Sequence, residues 1–215
     1  MAKIDIAALR REYIDQSLDE SEVDPDPIEQ FGRWFQQVVE IDARDASAMT
    51  LATVDHSGQP SARIVLLKGY DSDGLVFFTN YGSDKARELE ANPKVALVFW
   101  WTELDRQVRI KGTVKRTSNE ESWSYFATRP RGSQISATVS PQSRVVPDRQ
   151  TLVDLVRAAE RECEGRDVTC PTAWGGYRLV PHEFEFWQGR PTRLHDRVRY
   201  RKNEQGRWII ERLAP

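Results

Sequence analysis

The chain has 215 residues, 39% hydrophobic and 10% aromatic, with 31 basic against 33 acidic side chains and a net charge of −2. That supplies apolar material for a packed core, while the balanced charge argues against general nucleic-acid binding and the lack of a long apolar run or signal-peptide core argues against a membrane or export. Cys163 and Cys170 show no CxxC spacing and the histidines (His56, His182, His195) are scattered, so no metal site is expected and a reduced, cytoplasmic protein is the default.

Residues 1–25 are polar, with an acidic run over Asp19-Glu20-Ser21-Glu22-Val23-Asp24, and read as a flexible segment. Within it, Arg10 and Tyr13 could fold over a ligand, though a short solvated helix is the simpler reading. Residues 26–215 read as one domain without a linker. Asp26-Pro27-Ile28-Glu29 signals a helix start, and Ile28, Phe31, Trp34, Phe35 and Val38 carry its period over about 27–41.

From Ala48 the period becomes two. Residues 48–54, 62–68, 75–79, 94–101 and 107–115 read as strands joined by short turns, which predicts an antiparallel barrel or sandwich. Helices are expected at 83–90, from Ser118 to Arg129-Pro130, and at about 149–164. Further strands are expected at 177–180, 183–187, 198–201 and 208–212. No GxGxxG follows a strand, and there is no Walker loop, GxSxG or framed carboxylate pair.

Several groups could carry chemistry. Arg63 and Lys68 stand five apart on an apolar strand, so they point to opposite faces, and two rim charges explain them as well as a ligand does. Thr79-Asn80-Tyr81-Gly82-Ser83 leads a strand into a helix start followed by Lys85, a geometry suited to phosphate, but Asp84 conflicts with it. Tyr125 and Arg129 share a helix face, with Ser133 beyond the Pro130 break; they suit a second phosphate or a surface stack. Gln107, Gln142 and Ser143 carry no signal of their own. Residues 186–200 gather four arginines around His195 beside Trp187. Arginine forks suit phosphate or carboxylate, and histidine suits proton transfer near neutrality. Together these describe a site for two phosphorylated aromatic molecules.

The motifs Arg63-Ile64-Val65-Leu66-Leu67-Lys68, Phe78-Thr79-Asn80, Tyr125-Phe126 with Arg129-Pro130-Arg131, Gln142-Ser143, Trp174-Gly175-Gly176, Phe186-Trp187-Gln188-Gly189 and Arg193-Leu194-His195-Asp196-Arg197 resemble the pyridoxine/pyridoxamine 5′-phosphate oxidase family. The likeness runs from about Arg10 to Pro215. It implies a split antiparallel β-barrel with peripheral helices, forming a homodimer with FMN at the subunit interface. It implies oxidation of pyridoxamine or pyridoxine 5′-phosphate to pyridoxal 5′-phosphate, with O₂ reduced to H₂O₂. It assigns FMN contacts to Arg63, Ile64, Val65, Leu66, Leu67, Lys68, Phe78, Thr79, Lys85, Gln107, Gln142, Ser143, Trp187 and Arg197. Substrate contacts fall to Arg10, Tyr13, Lys68, Tyr125, Arg129 and Ser133, with Arg193 and His195 at the reacting end. One departure is Asp84, where the family commonly has arginine; an anion there should weaken FMN binding unless Asp84 pairs with Arg87. The competing readings are another FMN split-barrel oxidoreductase, such as a flavin reductase, and a non-catalytic carrier.

Overall fold

The structure is a computed structural model and describes residues 12, 13 and 16–215. Arg10 therefore lies outside the described residues, as does most of the expected N-terminal segment as far as residue 15.

Among the described residues, four of the five α-helices start where a short polar side chain can satisfy free N–H groups. The Asp26 carboxylate accepts from Ile28 N at 2.8 Å to open α1 (Pro27–Glu40). Ser83 caps α2 (Asp84–Ala91), and Ser118 accepts from Glu121 N at 3.0 Å to open α3 (Asn119–Thr128). Asp148 accepts from Thr151 N at 2.7 Å at the start of α5 (Arg149–Glu162). The exception is α4 (Arg131–Val139), which follows Pro130 directly with no side-chain cap. It is held instead by Arg131, whose guanidinium donates to the carbonyls of Cys163 and Arg166 at 2.5 and 2.9 Å, just beyond α5.

The strands are β1 (Ala48–Val54), β2 (Pro60–Leu66), β3 (Gly69–Asp71), β4 (Gly74–Asn80), β5 (Lys94–Trp101), β6 (Arg106–Arg116), β7 (Trp174–Gln188), β8 (Asp196–Lys202) and β9 (Trp208–Arg212). Hydrogen-bonded neighbours follow the order β2-β1-β5-β6-β7-β4-β3, with β8 on β7 and β9 on β8. The β1·β2, β3·β4, β4·β7, β7·β8 and β8·β9 registers are all antiparallel. The mainly β, antiparallel class expected from the sequence is what forms. Only glycine fits at position 74, where φ is +130° and a Cβ would stand 1.9 Å from the Leu179 carbonyl oxygen.

The chain divides into two compact units. One comprises residues 47–97 and 111–181 and buries Leu51, Leu75, Phe77, Leu97 and Leu179, with Phe77 stacked on Tyr177. The other comprises the residues up to 46 with 98–110 and 182–215. Its core is aromatic: Phe31 meets Phe99 at 5.2 Å, and Trp34 meets Phe186 edge-on at 5.2 Å. Full burial of each such side chain stabilises by about 1.5–3 kcal/mol.

Three elements differ from the sequence expectation. The strand expected over 62–68 ends at Leu66 and is followed by a separate short strand, β3. Strands 177–180 and 183–187 are one strand, β7, running through Pro181. Trp174–Leu179 pair with β4 and Glu183–Gln188 pair with β8, so the missing N–H falls between these two ladders. The helix expected to stop at Pro130 does stop, but α4 starts at once.

Candidate functional site

A cavity of about 420 Å³ opens in the unit built from 47–97 and 111–181. The end of β2 contributes Ile64, Val65 and Leu66, with Lys68 just past it. Phe78, Thr79 and Asn80 come from β4, and Lys85 from the first turn of α2. The lining is completed by Tyr125, Arg129, Ser136, Ala137, Ser140, Gln142 and Trp174.

One corner of the cavity is polar. Lys85 Nζ lies 3.3 Å from Thr79 Oγ1 and 3.2 Å from Gln142 Oε1, and Thr79 Oγ1 donates to Gln142 Oε1 at 3.0 Å. Burial lowers the Lys85 pKa, the nearby charge of Arg63 lowers it further, and Asp84 and Glu88 oppose. The Arg63 guanidinium itself turns to the Thr53 hydroxyl and to Glu88 Oε2, the latter at 2.8 Å. Asp84 pairs with Arg87, the arrangement that would neutralise it, and Arg87 also donates to Gly82 O at 2.6 Å.

Another part of the lining is aromatic. Tyr125 stacks on Phe78 with ring centroids 4.1 Å apart, and Phe78 stacks on Trp174 at 5.3 Å and 7°. The Arg129 guanidinium lies 4.8 Å above the Trp174 ring. Its Nη1 is buried with no hydrogen-bond partner, and burial lowers the Arg129 pKa. A buried guanidinium nitrogen without an acceptor is costly unless a ligand supplies one.

A second cluster belongs to the other unit. Trp187, His195 and Tyr13 form a three-ring group: Trp187–His195 at 4.7 Å, Tyr13–His195 at 5.0 Å edge-on, and Tyr13–Trp187 at 5.7 Å. Arg193 lies 5.7 Å over the Tyr13 ring. Thr192 and Arg193 both have positive φ, 62° and 68°, a backbone state sparsely used by non-glycine residues. His195 Nδ1 accepts the Arg190 N–H at 3.0 Å, so the neutral ring carries its proton on Nε2. Burial and the charge of Arg193 lower the His195 pKa against the opposing Asp196, which favours the neutral ring. Glycine is required at 189, where a Cβ would stand 2.5 Å from Tyr13 Cδ1.

Arg197 is held by Glu185, which is 5% exposed. Nε and Nη2 reach Oε1 at 3.0 and 2.9 Å, while Arg109 Nη1 reaches Oε2 at 3.1 Å. Arg197 Nη1 also donates to the Ala214 carbonyl at 2.7 Å.

Of the residues expected from the sequence, Ile64, Val65, Leu66, Lys68, Phe78, Thr79, Lys85, Tyr125, Arg129 and Gln142 come together around one cavity. Tyr13, Trp187, Arg193 and His195 come together in the other unit. Leu67 is buried outside the lining, and Ser143 is exposed with φ 68°. Ser133 lies one turn before Ser136 on the same face of α4, and Gln107 sits near the start of β6. Sequence reasoning missed Trp174, Ser136, Ser140 and Asn80 as cavity wall, and Glu185 as the anchor of Arg197. Trp174 stood in a recognised Trp-Gly-Gly motif. Glu185 lay two residues before Trp187, on the same strand face.

Residues 35–162 match the family described as pyridoxamine 5′-phosphate oxidase. A pyridoxine/pyridoxamine 5′-phosphate oxidase from Rubrobacter xylanophilus is 54% identical over 214 residues, covering 100% of this chain and 98% of that protein. The chain belongs to the pyridoxamine 5′-phosphate oxidase family. An oxidase of the same name from Acaryochloris marina is 51% identical, covering 98% of this chain and 95% of its own. Residues 174–215 match the family's C-terminal dimerisation region. Among solved structures, PhzG from Burkholderia lata in complex with tetrahydrophenazine-1-carboxylic acid superposes with a TM-score of 0.88 at 28% identity, covering 94% of this chain and 99% of that one. A pyridoxamine 5′-phosphate oxidase-related, FMN binding protein from Nostoc punctiforme shares the fold, with a TM-score of 0.68 at 18% identity, covering 86% and 96%. The split-barrel class is thus borne out, and the chain is an FMN-dependent oxidoreductase of this family. The residues present fit the cofactor phosphate: the Lys85 ammonium, the Thr79 hydroxyl and the Gln142 amide meet in one part of the cavity. Among the described residues no helix is long and apolar enough to cross a membrane, and no cluster offers a metal site.

Proposed function

We propose that this chain oxidises pyridoxamine 5′-phosphate or pyridoxine 5′-phosphate to pyridoxal 5′-phosphate. The observation that carries this reading is the pair of anion grips lining one cavity: Lys85 with Thr79 and Gln142, and the Arg129 guanidinium with Tyr125. Two phosphorylated ring molecules need two such grips, and a flavin reductase would leave the second without a purpose. FMN, when bound, supplies the two-electron acceptor and returns those electrons to O₂, which leaves as H₂O₂.

In this reading Lys85, Thr79, Gln142 and Ser143, with Arg63 supplying field from behind, hold the cofactor phosphate. Ile64 through Lys68, Phe78, Gln107, Trp187 and Arg197 surround the rest of the cofactor. Lys68, Tyr125, Arg129 and Ser133 hold the substrate phosphate, a remote handle whose binding energy fixes the ring. Arg193 and His195 orient the reacting end, with Tyr13 packed beside them. The tautomer matters here: neutral His195 donates a hydrogen bond from Nε2, so it steadies the substrate's oxygen or nitrogen rather than removing a proton through Nδ1. Ile64 and Leu66 are 64% and 43% exposed at the cavity edge, and a second copy covering them would place the cofactor at a subunit interface.

The test is FMN-loaded protein, pyridoxamine 5′-phosphate and O₂, with the aldehyde and H₂O₂ followed together. Equimolar formation of both is expected. Equal rates with unphosphorylated pyridoxamine, or turnover only with a nicotinamide donor and free flavin, would overturn the reading.

A further inference from the structure

Several arginines in this chain are fixed by acids. Arg178 is held by Asp71 and Glu121 at 2.5 and 2.9 Å, and Arg63 by Glu88 at 2.8 Å. Arg129 is held differently. Its guanidinium lies over ring faces, 4.8 Å from Trp174 and 5.8 Å from Phe126, with Nη1 buried and unpartnered. Trp174 is itself 7% exposed and braced on two sides, stacked on Phe78 at 5.3 Å and met edge-on by Phe126 at 5.2 Å.

We infer that Trp174 is a positioning residue that aims Arg129 at the substrate phosphate and so sets the preference for phosphorylated substrates. The inference rests on the reading of Arg129 as that phosphate's grip. A carboxylate could hold Arg129 as firmly, but it would occupy the N–H donors and cancel the charge that a phosphate needs. A ring face fixes the plane of the guanidinium, takes none of its N–H groups and leaves its charge whole. Rigidity comes from the ring's own bracing rather than from a competing anion.

The experiment uses FMN-saturated protein, with inorganic phosphate as a competitive inhibitor of pyridoxamine 5′-phosphate oxidation. Trp174→Leu should raise the phosphate inhibition constant about tenfold, equivalent to about 1.4 kcal/mol. It should cut the preference for pyridoxamine 5′-phosphate over pyridoxamine similarly, raising KM more than it lowers kcat. In an Arg129→Ala background the same substitution should change the inhibition constant less than about twofold, because the group it aims is gone. Equal effects in both backgrounds would mean that Trp174 acts independently of Arg129, and the inference would fall. Trp174→Phe keeps a smaller ring face and should raise the constant about threefold. If Trp174→Leu does not fold, an unchanged constant in Trp174→Phe overturns the inference instead. Wild-type protein indifferent both to phosphate and to substrate phosphorylation would sink the reading of Arg129 itself, a result distinguishable from failure of Trp174 alone.

Discussion

Replacing Glu185 with glutamine removes one charge from the centre of an Arg109–Glu185–Arg197 triad while keeping its shape. Three N–H···O contacts converge on that carboxylate, at 3.0, 2.9 and 3.1 Å. Breaking a fully buried pair typically costs about 3–5 kcal/mol, because a charge is left unpaired. Here the arginine side chains are 25% and 42% exposed, so water recovers part of that loss. A loss of about 2–3 kcal/mol follows, or roughly 5–10 °C in Tm for a chain of this size. Thermal unfolding of Glu185→Gln, Arg197→Gln and the double variant measures it, and the double variant should be less destabilised than the sum of the two singles. FMN titration of Glu185→Gln should show weaker binding as well, because Arg197 loses its fixed orientation. A Tm within about 1 °C of wild type, or strictly additive losses, would refute the claim that Glu185 anchors Arg197.

Further outcomes follow from the same geometry. The His195 pKa is lowered in the folded protein, so its contribution to stability is complete above the ordinary value of 6.5 and is lost as pH falls below it, where protonation breaks the Arg190 N–H···Nδ1 bond. The kcat/KM should fall on that acid side, and His195→Asn should lack this limb; the same limb in the variant would exclude His195 as its source. Gly189→Ala should clash with Tyr13 and with the Cβ of buried Asp105, moving Tyr13 off the His195–Trp187 pair and raising substrate KM about three- to tenfold; an unchanged KM would contradict the placement of Tyr13. Asp84→Arg should tighten FMN no more than about fivefold at low salt, with the gain vanishing as salt rises. The Asp84–Arg87 pair is exposed and already neutralises the acid, so a larger or salt-independent effect would contradict the placement of Asp84.

Local rules reached the parts of this protein that are local. Asp26-Pro27 and Ser118 mark helix starts because a capping oxygen acts within three residues, and the alternation of 48–54 marks a strand because its inward face is buried. Strand parity predicted Arg63 and Lys68 on opposite faces, but β2 ends at Leu66, so Lys68 lines the cavity from beyond the strand while Arg63 faces Glu88. The α4 helix escaped because Gly132, Ser133, Ser136 and Thr138 are weak helix formers and its anchor, Arg131 on the end of α5, lies more than thirty residues away. Pro181 split β7 on paper because nothing in the sequence shows that the strand changes partner there. Glu185 and Trp174 act through Arg197 and Arg129, and such pairings exist only once strands or helices have packed. The two clusters themselves were legible through motif resemblance, whereas the geometry that holds their arginines was not.

The Arg197–Ala214 hydrogen bond has a consequence for synthesis. Residues 47–181 contain every segment of one unit, which can close before the chain is finished. The other unit needs both ends: Phe31 and Trp34 emerge early, but Phe186 and Tyr200, in the core with them, emerge last. Until then the early aromatic helix is exposed on the ribosome, a state prone to aggregation and to chaperone capture. Arg212 ties the tail back to Glu20, Asp196 and the Leu18 carbonyl, and the next residues receive Arg197. Without Ala214, the Arg197 guanidinium would keep its Glu185 contacts but lose the hydrogen bond that ties it to this segment.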